Sequence, residues 1–371
     1  MQFIDLAAQQ ARLRSQIDAR IAAVLDHGQY IMGPEVAELE HKLAAFCGAS
    51  HCMSCANGTD ALQLALMALG IGPGDAVFVP SFTFAASAEV VPFVGATPVF
   101  VDIDLDSYCM SATSLGRTVD HARNQGLRPA VVMPVDLFGR PADYDSLGAI
   151  AEREGMKIVA DSAQGWGATY NGRMTGTFGD ITTTSFFPAK PLGCYGDGGA
   201  LFTEDPELAA LLDSFRIHGK GTEKYDNVRI GMNSRLDTIQ AAILLAKLEV
   251  YASEIEARQK VADRYTAGLP DRFITPQVPA GVSSIWAQYT LMARDTGERD
   301  NALRSLKSAG IPAVVYYPQP LHQQTAYLGF PKDPNGLAHS ESAASRVFSV
   351  PMGPYLRTDD QDRVISTLTS V

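Results

Sequence analysis

Between Ala76 and Gln164 the chain repeats one pattern, a short Val-rich apolar run followed by a stretch with helical character. The runs are AVFVP, PVFVDI, AVVMPVDLF and KIVADSAQ, and SFTFAASAEVVPFVG and a helical segment over Tyr144 to Glu154 separate some of them. Apolar runs without polar alternation are buried on both faces, which predicts a mostly parallel sheet flanked by helices, an α/β fold. Ligands of such sheets sit beyond the carboxyl ends of the strands. That rule puts Phe84, Asp161 and Gln164 on one rim.

At 371 residues the chain exceeds one ordinary core, which predicts a large domain over 1–250 and a smaller C-terminal α/β domain over 251–371. Helical spacing is expected before residue 30 (Ile17, Ile21, Val24, Leu25), over Glu35–Phe46, Asp60–Leu69 and Leu208–Arg216, and over Asp237–Glu254. The C-terminal part offers strand candidates AQYTLMA and AVVYYP, a helix near Ser340–Phe348 and a short tail.

A net charge of −11 argues against nucleic acid or an anionic membrane as partner. The first residues carry Asp5 and no signal-like apolar core, and no uncharged run of membrane-spanning length follows. A cytoplasmic protein is expected. Five cysteines do not make a disulfide framework. The Cys52 and Cys55 pair lacks the second pair that a structural zinc site needs, so no metal is expected.

The segment Ile181–Leu201, ITTTSFFPAKPLGCYGDGGAL, holds one lysine, Lys190. Ser185 precedes it by five residues, and Gly193, Gly196, Gly198 and Gly199 follow. A desolvated lysine amine can condense with an aldehyde, whereas most lysines beside a turn are solvated charges. Upstream, Asn57, Gly58 and Thr59 stand at a helix start, as an ordinary N-cap or as an anion cradle. The later GIGPG ends a helix instead of following a strand, so it is a turn and not a dinucleotide fingerprint. Asp161 follows the apolar IVA, where a carboxylate needs a cationic partner or serves as a cap. Phe84 alone reads equally as a core aromatic. Residues 216–235 hold five Arg or Lys against two acids, which makes them an anion-binding candidate or a solvated loop.

One small molecule asks for a phosphate cradle, an aromatic face, a buried carboxylate and an amine together: pyridoxal 5′-phosphate (PLP). The ordered blocks NGTDALQLAL, VPSFTFAASAE, VDLFGRPADYD, VADSAQGWGATYNG, SFFPAKPLGCYGDGGALFTED and GMNSRLDTIQAAIL resemble the DegT/StrS-type sugar aminotransferases of fold type I. Within that group, GQYIMGPEVAELE, SCANGTDALQ, CYGDGG and NSRLDT are most similar to enzymes that aminate UDP-3-oxo-N-acetylglucosaminuronate for bacterial surface polysaccharide, the O-antigen.

The resemblance implies that Gly58, Thr59 and Ser185 hold the cofactor phosphate and that Phe84 stacks on the ring. Asp161 would pair with the ring nitrogen, Gln164 with the ring hydroxyl, and Lys190 would bond the aldehyde. Asn233 would reach the neighbouring subunit's phosphate, making a homodimer with shared sites. It also implies L-glutamate as donor and a UDP-keto-sugar as acceptor. Arg235 suits a carboxylate, of the sugar, of glutamate or of a structural acid. Relatives often carry histidine in an HYP triplet where this chain has Tyr316 before Tyr317 and Pro318, so both tyrosines are substrate-binding candidates only. Lys190 argues against the family's dehydratases, in which histidine replaces the lysine. The alternatives are an aminotransferase for another keto-sugar nucleotide and a non-catalytic PLP-binding regulator.

Overall fold

The structure, a computed structural model, describes every residue except 224. Lys224, one of the five basic residues of the 216–235 stretch, therefore lies outside the described residues. Two helices open the chain, α1 (Leu6–His27) and α2 (Pro34–Cys47). Then come β1 (His51–Cys55), α3 (Gly58–Ala68), β2 (Asp75–Pro80), α4 (Ala86–Phe93), β3 (Thr97–Val101), α5 (Ala112–Asn124), β4 (Arg128–Val132), α6 (Tyr144–Glu154) and β5 (Lys157–Asp161). A two-residue hairpin, β6 (Thr169–Tyr170) and β7 (Arg173–Met174), precedes β8 (Ile181–Ser185), β9 (Gly199–Thr203) and α7 (Pro206–Phe215).

Seven strands form one sheet in the order β1-β9-β8-β5-β4-β2-β3. All neighbouring pairs from β8 to β3 are parallel, and only β9 runs against its neighbours. The lack of alternation has the expected cause. Val77 and Val79 of β2 pack with Leu62, Leu64 and Leu66 of α3 on one face. Ala76 and Phe78 pack with Leu115, Val119 and Leu147 of α5 and α6 on the other. Both faces bury apolar side chains, so every position from Ala76 to Pro80 is apolar.

Helix α8 (Thr238–Gly268) is 31 residues long and extends well beyond the expected Glu254. It runs unbroken through residue 250. Its first half packs on α1 and α2, and Val261, Ala262 and Tyr265 enter a separate core with Tyr289, Leu291, Phe348 and Val364. We assign the division between a large and a small domain to this helix. The small core is completed by β10 (Tyr289–Met292), α9 (Thr296–Ser308), β11 (Val347–Val350) and α11 (Thr358–Thr369), while α10 (Ala338–Arg346) buries Ala343 and Ala344 in a cluster with Phe82.

Four local expectations change. AVVYYP is no strand: Val314 alone bridges to Ser349, and the chain then turns Tyr316 and Tyr317 in beside Phe82. The helix expected to Phe348 stops at Arg346, because Val347–Val350 pairs antiparallel with Tyr289–Met292. The tail is helical, its Val364 and Leu368 buried four residues apart with Ile365 packed beside them. Helix α3 starts two residues earlier than expected, at Gly58. No helix among the described residues is long and apolar enough to cross a membrane.

Candidate active site

The head of α3 faces the end of β8. Asn57 caps the helix by accepting the Asp60 N–H on its side-chain oxygen at 2.8 Å. The first N–H groups of a helix have no intrahelical acceptor, which leaves those of Gly58 and Thr59 for a ligand, with the helix dipole favouring an anion. Glycine is required here for contact: a Cβ on Gly58 would sit 2.7 Å from the Ser185 Cβ. Ser185 Oγ accepts the Phe187 N–H at 3.3 Å. Its own hydrogen stays free for a further acceptor.

Asp161 ends β5 and is 4% exposed. Its Oδ2 accepts a hydrogen bond from Ser87 Oγ at 2.7 Å, and Oδ1 accepts one from the Ala163 N–H at 3.1 Å. Burial pushes its pKa above the ordinary carboxylate value, against the pull of those two donors and the Lys190 charge. Beside it, Gln164 Oε1 accepts the Phe138 N–H at 2.8 Å, and Nε2 donates to the Tyr317 hydroxyl at 3.2 Å. The amide is thus oriented from both ends. Phe84 is 58% exposed, its ring 6.3 Å from that of Tyr317.

Lys190 sits in a closed loop, with Lys190 N donating to Phe187 O and Cys194 N to Phe186 O, both at 2.8 Å. Gly193 permits the closure, since a Cβ there would lie 2.6 Å from the carbonyl oxygens of Phe187 and Pro188. Burial lowers the Lys190 pKa, with the Asp161 charge opposing. Its amine has no hydrogen-bond partner among the described residues, and burial shifts it towards the neutral nucleophilic form. From α8, buried Lys247 donates to the Gly193 carbonyl at 2.5 Å and lies 4.2 Å over the Tyr195 ring.

A cavity of about 510 Å³ unites nine of the residues singled out in the sequence: Gly58, Thr59, Phe84, Asp161, Gln164, Ser185, Lys190, Tyr316 and Tyr317. Asn233 and Arg235 are not in its wall. Asn233 is exposed and bridges to Ile217, while Arg235 is half-buried with an unpartnered Nε. Sequence reasoning missed Ser87 and Lys247. Their available signals were a serine near the start of a helix that follows a strand end, and one lysine inside the apolar AAILLAKLEV. Cys55 is buried and Cys52 half-buried in β1, and no cluster of metal ligands occurs among the described residues.

The donor set fits PLP: free N–H groups and a hydroxyl for a phosphate, a buried carboxylate for a ring nitrogen, an exposed aromatic face and a free desolvated amine. Fold and site together define a PLP-dependent aminotransferase. The comparisons agree. The chain belongs to the DegT/DnrJ/EryC1/StrS aminotransferase family, whose model matches residues 11–369. It is 47% identical to the UDP-2-acetamido-2-deoxy-3-oxo-D-glucuronate aminotransferase of Pseudomonas aeruginosa, over 100% of both chains. A DegT DnrJ EryC1 StrS aminotransferase from Brucella abortus superposes with a TM-score of 0.97 at 54% identity, covering 100% of this chain and 99% of that one. NtdA of Bacillus subtilis, solved with its cofactor PMP bound, matches with a TM-score of 0.86 at 28% identity, over 97% of this chain and 82% of that one.

Proposed function

We propose that the protein transfers the amino group of L-glutamate to C3 of UDP-2-acetamido-2-deoxy-3-oxo-D-glucuronate, in the cytoplasmic synthesis of a bacterial surface polysaccharide. The observation that carries the chemistry is the pairing of a desolvated, unpartnered Lys190 with a buried Asp161 in one cavity. The full-length likeness to the P. aeruginosa enzyme supports the acceptor.

In this reading the head of α3 and Ser185 hold the phosphate, and Phe84 covers one face of the ring. Bound PLP supplies an electrophilic aldehyde and an electron-accepting ring. Asp161 keeps a negative charge against the ring nitrogen, which strengthens that electron demand. Gln164, fixed by Phe138 and Tyr317, orients the ring through its hydroxyl. Lys190 Nζ accepts a proton from the donor's α-carbon and later returns one, a role suited to an amine whose pKa burial has lowered. A free amine and a buried carboxylate favour this enzyme over a regulator that has kept only the fold.

Asn233 and Arg235, absent from their own cavity wall, serve the site of a second copy in a homodimer. Two measurements test the proposal. A panel of keto-sugar nucleotides is assayed with glutamate, and the 3-oxo-uronate should be converted fastest; a faster neutral acceptor would refute the substrate. Inactive Lys190→Ala and inactive Asn233→Ala subunits are then mixed. Partial recovery of activity supports shared sites, and none, despite proven subunit exchange, removes Asn233 from them.

A further inference from the structure

The wall of the catalytic cavity contains one basic side chain among the described residues, Lys190 itself. A glutamate donor brings two carboxylates. A second cavity, of about 410 Å³, shares Lys190 and Ile4 with the first and lies between the N-terminal segment and the 352–360 stretch of the small domain. Its wall includes Arg258 and Arg357. Arg357 is taken by Asp360, at 3.0 Å.

Arg258, on α8, is not taken. It is 4% exposed, and no described carboxylate lies within 4.0 Å of it. Nη1 donates to the Trp286 carbonyl at 3.0 Å, and Nε is buried without a partner. The nearest candidate on its own helix, Glu254 one turn earlier, is engaged elsewhere. Both its oxygens accept from the Gln9 amide, at 3.1 and 2.9 Å, and one also accepts from the Tyr355 hydroxyl at 2.5 Å. Burial pulls the Arg258 pKa below the ordinary arginine value, opposed by the charge of Glu254 and by the Tyr251 and Tyr355 hydroxyls. A buried guanidinium whose nearest carboxylate stands beyond contact distance and is shared with other donors still gains from an anion in the cavity beside it.

We propose that Arg258 and this second cavity form a carboxylate subsite for a dicarboxylic amino donor, which would hold one carboxylate while the donor's amine reaches the aldehyde carbon that Lys190 would bond and then release. The inference rests on the reading of glutamate as donor. Arginine matches a carboxylate with parallel N–H donors. Ile4, in both walls, stands where the two cavities meet.

The test uses the PLP-loaded enzyme and glutarate, a dicarboxylate without an amine. With the native chain, glutarate should raise the melting temperature and compete with glutamate. Arg258→Met, which keeps the length and removes the charge, should weaken glutarate binding at least tenfold. Hydrogen bonds to charged groups support a fall of roughly ten- to a hundredfold in kcat/KM for the glutamate half-reaction, carried by KM. PLP affinity and the half-reaction with the sugar acceptor should hold within about twofold, and Arg258→Lys should recover part of the loss. Gly353→Leu fills part of the cavity while leaving the Arg258 side chain itself in place. A Cβ at Gly353 meets nothing within 4 Å, and the residue lines the same cavity. It should block glutarate even if Arg258→Met fails to fold. Equal glutarate binding by native and Gly353→Leu enzymes, or an equal fall of both half-reactions in a folded Arg258→Met, overturns the subsite. A native enzyme that binds glutarate but ignores glutamate overturns the donor instead.

Discussion

Replacing Asp161 by asparagine removes one charge from the centre of the site and nearly nothing else. The amide can still accept from Ser87 or from the Ala163 N–H, so the strand end keeps its shape. What it cannot do is stay anionic against a protonated ring nitrogen. Hydrogen bonds to charged groups contribute about 1.5–3 kcal/mol, which is roughly a 10- to 150-fold weaker hold on PLP. Consider PLP at 100 times the native dissociation constant. The native protein then gains about 2.7 kcal/mol of stability, and a variant with a 100-fold higher constant gains only RT ln 2, about 0.4 kcal/mol. An unfolding entropy of about 2.1 cal/mol/K per residue turns these gains into shifts of about 3.5 °C and about 0.5 °C for a chain of this length.

The cofactor-free protein should respond differently. Burial raises the Asp161 pKa in the folded state, so the native form binds its proton more tightly than the unfolded chain does. Stability is then lost as pH rises from the ordinary carboxylate range through the raised folded value. Asparagine removes this loss, and the cofactor-free variant should melt no lower than the parent at neutral pH. Scanning fluorimetry with and without PLP, with absorbance titration for affinity, reads both effects. A variant that melts far lower without cofactor would make Asp161 a structural cap. An unchanged PLP-induced shift would remove it from the ring nitrogen.

Gly58→Ala places a Cβ 2.7 Å from the Ser185 Cβ. Overpacking of this kind costs about 1–3 kcal/mol, and both the melting temperature and PLP affinity should fall; an unaltered affinity would remove the α3 head from the phosphate site. Burial pushes the Asp136 carboxyl up to about 7, although it accepts hydrogen bonds from Ser162, Tyr144 and the Ala142 N–H. Its contribution to stability is therefore lost as pH rises from about 4 to about 7, and Asp136→Asn should flatten the pH dependence of the melting temperature over that window; an identical slope would show the group to be ionised throughout. Lys247→Met removes the amine that holds the Gly193 carbonyl, and the visible PLP band that borohydride abolishes should shift or weaken while Lys247→Arg restores part of it; an unchanged spectrum would show that the Lys190 loop holds itself.

The parts of this molecule that were legible in the sequence are those in which one residue carries its own reason. Both neighbours of a central strand are apolar, so AVFVP and KIVAD announce a doubly covered sheet. A carboxylate after IVA and a lysine before a glycine run are each out of place unless something pairs with them. Nine residues singled out by their chemistry or by the family resemblance share one cavity, beyond the strand ends where ligands of such a fold sit. What stayed hidden depends on partners far away in sequence. AVVYYP has strand composition, yet only Val314 finds a partner, because the chain must deliver Tyr317 to Gln164, 153 residues distant. VFSV continues a helical pattern and becomes a strand because Tyr289–Met292 is there to pair with it.

The same distinction explains Lys247 and Arg258, two basic residues on one helix whose partners lie far away in sequence. Helix α8 is buried nearly all round in its first half, so Lys247 has no solvated side to turn to and must find an acceptor, the Gly193 carbonyl. Arg258 lies eleven positions further on, about three turns of helix, where α8 passes from the large core to the small one. One rigid rod therefore connects the loop of the reacting amine to the cavity proposed for the donor's carboxylate. A shift of the small domain against α8 would change the cavity around Arg258 while leaving the Lys247 contact in place, because that contact lies wholly within the large domain. Donor binding and the position of the amine are thus separable: Arg258→Met should alter KM without altering the PLP spectrum, and Lys247→Met should alter the spectrum first. A single variant that moved both together would show that α8 does not act as a fixed rod between them.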